Sequence, residues 1–250
     1  FKELLAVLEC HSGEIRYPYT TNIGCMELRI NKESVYVKNS LHKLFNELQG
    51  GRSQNHNDFC YSALCHTIDY LDSKLIALRR TRLTQLEFGL NIKLPIPAEE
   101  IIKDNIILHK LNIHNHNEQF NGRGEYKQFN HSNYYFKIYD KAKQYKKKEH
   151  IIRFEIKYKT SKGFNPLDVF NIHDLKSKSV LEKLFEDLLK RFDELTIVDN
   201  LPTDSKITTK DKSKLESYLS FNYWEKLSER ENRNRKSEKT KAFHSLLIKR

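Results

Sequence analysis

The sequence predicts an α+β fold, in which a mainly antiparallel sheet carries helices on one face and is followed by a basic helical C-terminal extension. Three observations predict it. Several segments alternate apolar and polar residues at period two, so each strand has one face to bury and one left polar. Other segments space their apolar residues three and four apart, as a helix does. The elements follow the order β-β-α-α-β-α-β-β-α and then helices, without the regular βαβ alternation of a parallel sheet.

Met26, Leu28 and Ile30 alternate with Glu27 and Arg29, and the alternation resumes at Val35 and Val37, which predicts a β-hairpin. Leu41 to Leu48 has helical spacing and ends at Gly50-Gly51. Asn57 or Asp58 is expected to cap a longer helix through about Leu78. In the next strand, Leu86, Phe88, Leu90 and Ile92 alternate with Gln85, Glu87, Gly89 and Asn91. Pro97-Ala-Glu-Glu100 suits a helical first turn, because proline lacks only an N–H that has no partner there and the carboxylates face the positive helix end. That helix is expected to reach Leu111. Residues 112–132, rich in Asn, His and Gly, read as a long loop.

Two further strands follow. Tyr134, Phe136 and Ile138 alternate with Tyr135, Lys137 and Tyr139; Ile152, Phe154, Ile156 and Tyr158 alternate with Arg153, Glu155 and Lys157. Asp174 is expected to cap a helix through Phe192, with Leu175, Val180, Leu181, Leu184, Leu188 and Phe192 as its apolar stripe. A short apolar piece at Thr196-Ile-Val-Asp199, a polar connector over 201–209 and two helical stretches from about Lys210 complete the chain. The organisation read from this is a domain over 1–195 and a basic helical extension over 196–250. Residues 225–250 hold nine Lys/Arg against four Glu, suited to lying along phosphates, to docking on the protein's own surface or to staying solvated.

At 250 residues the chain can bury a substantial core, with 14 Phe and 13 Tyr among its 38% hydrophobic residues. Its net charge of +11 favours a polyanionic partner, nucleic acid or an acidic membrane surface, over the plainer reading of a lysine-rich composition. No apolar run approaches the roughly 18 residues that span a bilayer, and no signal-peptide centre is present. The expectation is a cytoplasmic protein without a membrane, with a segment ahead of Phe1 left open. Cys10, Cys25, Cys60 and Cys65 form no C-x-x-C pair and read as free thiols, Cys60 and Cys65 along a helix.

Three strands could gather a tyrosine, two glutamates, an arginine and lysines on one sheet face, the opposite face being apolar. That polar face is expected to be open to a substrate. Tyr139 is the candidate nucleophile. Its phenol ordinarily titrates near ~10, so attack requires cations or a metal nearby, and Lys137, Lys141 and Lys143 are close in sequence. The competing reading is an amphipathic tyrosine at a strand end. Glu87 and Glu155 could hold Mg²⁺ or Mn²⁺, hard cations that prefer oxygen, or could pair structurally with Arg153. Asp140 should point the other way. His114 and His116, with His109 and His131, invite a metal reading against one of exposed loop histidines. Lys146-Lys-Lys148 is a phosphate contact or a solvated turn. No Gly-rich phosphate loop or serine elbow occurs, which argues against an NTPase, a dinucleotide enzyme or a serine hydrolase.

Lys137-Ile-Tyr-Asp-Lys141, followed by Ile152-Arg-Phe-Glu155, resembles the YDK…RxE signature of rolling-circle replication initiators of the filamentous-phage gene II type and related plasmid initiators. Lys38-Asn-Ser-Leu-His-Lys43, Asn57-Asp-Phe59 and residues 85–92 look similar to blocks in the same order in such proteins. The likeness covers roughly 25–195, with Asn222-Tyr-Trp224 extending it. The resemblance implies a metal-dependent endonuclease that nicks one strand at an origin, stays joined to the 5′ phosphate through tyrosine and later rejoins the strand. It gives Tyr139 the nucleophile role, makes Glu87 and Glu155 ligands of Mg²⁺ or Mn²⁺, and makes Lys141 and Arg153 phosphate contacts; Lys137, Lys143, Lys146 and Lys147 complete the expected DNA-binding set. Origin DNA, single-stranded or supercoiled, is the implied partner, with a host helicase and polymerase. The chain departs from the pattern twice. Some plasmid relatives carry tyrosine where Phe154 stands here, and Asn115 stands between two histidines where many such nickases have a hydrophobic residue. The runner-up is a DNA-binding protein of a mobile element without catalysis.

Overall fold

The computed structural model describes residues 5–8, 11–75, 78–117, 124–198, 207–230 and 233–249. The fold is α+β with antiparallel sheets. It forms two compact units, one of residues 1–82 with 171–180 and one of residues 83–170 with 181–250.

The first unit is built on a four-stranded antiparallel meander: β1 (Leu5–Leu8), β2 (Ile15–Ile23), β3 (Met26–Ile30) and β4 (Val35–Lys38). The β3–β4 hairpin is the one that the alternation predicts. Ile23 pairs with Met26 across a two-residue turn, and Gly24 at φ 56° supplies the positive φ that such a turn requires. Helix α1 (Leu41–Leu48) has the predicted bounds; the Ser40 hydroxyl accepts from the Lys43 N–H at its start, and Gly50 follows at φ 76°. Helix α2 (Tyr61–Lys74) starts later than expected, because Asn57 is engaged elsewhere, exchanging side-chain hydrogen bonds with Asn46 at 2.9 and 3.0 Å. Exposed Cys60 therefore precedes the helix rather than packing along it, while Cys10 lies outside the described residues. Ile23, Met26, Leu44, Leu71 and Leu78 form this unit's core. Asp174 does not cap a long helix: it closes a capping box with Asn171 on a 3₁₀ turn over Ile172–Lys176.

In the second unit, β5 (Leu86–Leu94) precedes a short helix, α3 (Ala98–Glu100), which widens into one π turn, Ile101–Asn105, and gives way to β6 (Ile106–His109). The helix expected to reach Leu111 thus stops at Asn105. Ile106 and Leu108 are fully buried and β6 pairs with β10 (Leu195–Ile197), a partner far away in sequence. The expected long loop contains a strand, β7 (Tyr126–Asn130); its residues 118–123 lie outside the described part. Lys127 masked that strand's apolar parity. It is buried because its ammonium donates to the Lys103 and Ile106 carbonyls at 2.9 and 2.7 Å. Then come β8 (Tyr134–Asp140), α4 (Lys141–Gln144), β9 (His150–Tyr158) and α5 (Lys178–Asp193), whose residues from Leu181 belong to this unit. The main sheet has the order β5-β9-β8-β7, all antiparallel.

Among the described residues three C-terminal helices follow where two were expected: α6 (Thr209–Leu219), α7 (Phe221–Arg230) and α8 (Arg233–Lys249). Of the expected connector, residues 201–206 lie outside the described part, as does Asp199. The expected boundary near 195 is not where the two units divide. Leu215, Tyr218, Trp224, Phe243 and Leu246 bury themselves in one cluster with Leu108 of β6 and Val198, which ties the basic helices to the unit that carries the main sheet. Phe243 and Leu246 thus dock on the protein's own surface, one of the fates open to that tail.

Candidate active site

Register turns the polar parity of four strands into a grid. Tyr126, Tyr139, Arg153 and Asn91 lie in one row across β7, β8, β9 and β5. Gln128, Lys137, Glu155 and Gly89 form the next, and Asn130, Tyr135, Lys157 and Glu87 the third. Directly paired residues share a face, so Tyr139, Glu155, Glu87, Arg153 and Lys137 stand together as the alternation predicts.

Glu155 is the centre of the cluster. Its Oε2 accepts from Arg153 Nε at 2.7 Å and from the Tyr139 hydroxyl at 3.1 Å, and its Oε1 accepts from Lys137 Nζ at 3.2 Å. Lys137 also donates to Glu87 Oε2 at 3.1 Å, so one ammonium bridges both carboxylates. Arg153 Nη1 reaches Asn91 Oδ1 at 3.0 Å, and Lys157 lies 3.8 Å from Glu87. Gly89 permits the close packing opposite Glu155: a Cβ there would stand 2.2 Å from the Phe154 carbonyl oxygen and 2.9 Å from Glu155 Cα.

The face is not the open surface expected. Glu155 is 3% and Tyr139 6% exposed, and the Lys137 and Arg153 side chains close over them. The cluster opens towards the β5 edge, where the Glu87 side chain is 41% exposed. Burial works to raise the Glu155 pKa, but Arg153 and Lys137 together hold it down, to about 2. Glu87 goes the other way: burial, then the charge of Glu155, push it up to about 7. Burial and the same carboxylate also raise the Tyr139 phenol above its ordinary value, which keeps it protonated.

Lys141 is 1% exposed and directs its Nζ to the Tyr139 hydroxyl at 3.4 Å, so as it stands it supports the tyrosine rather than offering its charge to an outside phosphate. Asp140 points away, as expected, and accepts from the Lys143 N–H at the start of α4. Lys143 is exposed and paired with Glu99, while Lys146, Lys147 and Lys148 are exposed on the connection between β8 and β9, just beyond the Tyr139 end of the grid.

The histidines are less exposed than expected. His109 is fully buried, His114 and His131 are half-buried, and His116 alone of the four is exposed. Asn112 Nδ2 lies 3.2 Å from His131 Nδ1, His131 Nε2 lies 2.7 Å from His109 Nδ1, and His109 Nε2 lies 3.0 Å from the Arg191 carbonyl. An amide donor at one end and a carbonyl at the other fix one proton on each ring, so both histidines are neutral. His114 stands beside Phe129, which belongs to the opposite face of β7 from Gln128, so these rings are not part of the Tyr139 cluster.

Glu87 and Glu155 offer a hard divalent cation two carboxylates, and among the described residues no cluster of three or more His, Cys, Asp or Glu side chains is placed to hold a metal ion. Both carboxylates already converge on one positive charge, and their donors are all oxygen. Glu87 and Glu155 would hold the ion, with Lys137 displaced from between them. Sequence reasoning missed Tyr126, Gln128 and Asn130, because β7 was hidden within a polar stretch, and it missed the packing role of Gly89.

No family model, curated protein or solved structure matches this chain. Among the described residues, no helix is long and apolar enough to cross a membrane.

Proposed function

We propose that the protein initiates rolling-circle replication by nicking one DNA strand at an origin and later rejoining it, with Tyr139 as the nucleophile. The observation that supports this is the hydrogen bond from the Tyr139 hydroxyl to Glu155, in a cluster where Lys137 joins that carboxylate to Glu87. Nucleophile, proton acceptor and cations then share one face. In the proposed step the Tyr139 oxygen attacks phosphorus and its proton passes through the Glu155 carboxylate to water. The phosphorus–O3′ bond breaks, and the 3′ oxygen leaves and takes up a proton from water. The strand keeps a 3′ hydroxyl on one side and a 5′ phosphotyrosine on the other; attack by that hydroxyl reverses the step and rejoins the strand. Lys141 steadies charge on the phenolic oxygen and Arg153 holds Glu155 in place. Lys137 swings from the carboxylates onto phosphate as DNA enters, and Lys143, Lys146 and Lys147 line the strand's path. When bound by Glu87 and Glu155, Mg²⁺ or Mn²⁺ neutralises charge on the phosphate.

On this reading the protein works in the cytoplasm for a phage, plasmid or integrated element, with a host helicase and polymerase. The protonated, enclosed state of Tyr139 supports a second reading, a DNA-binding protein in which the cluster is a structural polar network. The two part in one experiment. Wild type and Tyr139→Phe are incubated with Mn²⁺ and labelled DNA from the parent replicon, and SDS-resistant adducts are mapped. An adduct on Tyr139 that the variant lacks is expected; salt-sensitive DNA binding without any adduct would sink the nicking reading and favour the second.

A further inference from the structure

Beside the grid, at the outer edge of β7, lies a wide-mouthed surface cavity of about 440 Å³. The loop 112–117, Asn130 at the end of β7, Glu225 and Ser228 of α7 and Lys236 of α8 form its walls. Its position is set by the sheet. Asn130 occupies the grid row of Tyr135, Lys157 and Glu87, four residues along β7 from Tyr126, the partner of Tyr139. At ~3.4 Å per residue the cavity mouth is roughly 14 Å from the Tyr139 row.

The lining has the chemistry of base recognition. A nucleobase edge sets donors beside acceptors, and asparagine amides do the same. The Asn130 amide oxygen already accepts from Gln128 Nε2 at 2.8 Å, which directs its N–H group to other partners. The Asn115 backbone N–H is fixed to the Gln128 carbonyl at 2.7 Å, and its side-chain oxygen accepts from Asn117 N at 3.0 Å, so the loop is pinned to the sheet edge. His114 Nδ1 is buried without a hydrogen-bond partner among the described residues. His114 and His116, both in the lining, are braced from behind by the ring of Phe221, at 5.0 Å in a tilted contact and 3.8 Å edge to face, so this part of the wall is held in place. Lys236 suits a phosphate, while the Glu225 carboxylate would repel a bare phosphate and accept from an exocyclic amine. Four asparagines in the lining, Asn112, Asn115, Asn117 and Asn130, favour a ligand that has polar edges as well as an apolar body.

We propose that this cavity takes one unpaired base of the DNA strand held along the sheet, so that the protein reads sequence a few nucleotides from the bond it cuts. This rests on the reading of the Tyr139 face as a DNA site.

The test uses the full chain and labelled 12-nucleotide strands of dA, dC and dT, with binding followed by fluorescence anisotropy across a salt series. Phosphate contacts do not distinguish the three, whereas a seated base does. Wild type should spread its affinities by about tenfold, the low end of what one well-made base contact gives. Ser228→Trp, which fills the cavity, should collapse that spread while leaving the salt slope unchanged. Glu225→Gln, isosteric and a donor as well as an acceptor, should reorder the three strands in a protein with unaltered circular dichroism. Absence of strand binding, equal affinities in wild type, or a spread that survives Ser228→Trp would overturn the proposal. So would binding of dAMP, dCMP or TMP that is lost in Ser228→Trp while strand binding is not, since the cavity would then serve free nucleotides. Base discrimination that persists when no Tyr139 adduct forms would overturn the nicking reading alone and leave the cavity as a base reader.

Discussion

Replacing Glu87 by Gln should stabilise the protein above neutral pH and do nothing near pH ~4.5. Burial and the neighbouring Glu155 charge push the Glu87 carboxyl up to about 7 from an ordinary 4.5. Below the ordinary value Glu87 is protonated in the folded and unfolded chain alike. Between the two values only the folded chain holds the proton, so this contribution to stability is lost as pH rises through about 7. For a fully buried group the difference would correspond to ~3 kcal/mol. The Glu87 side chain is 41% exposed, however, and solvent screening reduces this to ~1 kcal/mol. In a unit of this size that is about 2–4 °C in Tm. Glutamine keeps the neutral shape at every pH. The assay is thermal unfolding of wild type and variant by circular dichroism over the range of about pH 4.5 to 8. The difference between the two curves reports Glu87 together with its coupled neighbour Glu155, because the groups remote from the pair are common to both. It should start near zero and grow in favour of the variant; adding Mn²⁺ should shrink it, since only the carboxylate offers an ion its charge. A wild type more stable than the variant at pH ~8 without metal would refute the argument, showing that attraction to Lys137 and Lys157 outweighs burial and Glu155.

Gly89→Ala should lower the urea midpoint by the equivalent of ~1–3 kcal/mol or more, because its Cβ would meet the backbone of Phe154 and Glu155; an unchanged midpoint would mean that β5 and β9 are less closely apposed. Burial holds His109 at about 3, with the charge of His131 next, and holds His131 at about 4, with that of Lys110 next. Both remain neutral in the folded protein while the unfolded chain protonates below about 6.5, so their stabilising contribution is complete above that value and fades as pH falls towards 4. Their imidazole NMR signals should show no titration between about pH 5 and 8. Trp224, 2% exposed and donating to the Tyr218 carbonyl at 2.6 Å, should cost ~3–5 kcal/mol when changed to Ala, read as a fall in the unfolding midpoint.

How much was legible in the sequence follows from where the information resides. The alternation in β3, β4, β5, β8 and β9 is local, and each strand runs where period two places it, as does α1, which stops just before the expected glycines. Residues 101–111 failed because Ile101, Ile102, Ile106 and Ile107 satisfy both helical and strand spacing; the choice was made by β10, almost ninety residues downstream, which the local pattern does not contain. β7 failed for the opposite reason, since Lys127 and Gln128 look like loop residues until tertiary partners satisfy them. At the site, sequence parity gathered Tyr139, Glu155 and Glu87 on one face. It could not foresee that Lys137 and Arg153 would fold over the carboxylates and enclose the phenol, because rotamers of long side chains depend on neighbours across the sheet.

Parity also bears on which residue could act as the nucleophile. The resemblance allows a tyrosine at position 154, and this chain has phenylalanine there. Phe154 is 5% exposed, stands 4.9 Å edge-on to Phe192 and stacks on Phe136, on the apolar side of β9. A hydroxyl at 154 would project among hydrocarbon, whereas Glu155, Lys137 and Glu87 lie on the other side of the same strand. Phe154→Tyr with Tyr139→Phe should therefore form no covalent adduct, and should lose stability from a buried hydroxyl without a partner. An adduct mapped to position 154 in that double variant would require β9 to present both faces to DNA, which the packing of Phe154 against Phe192 opposes.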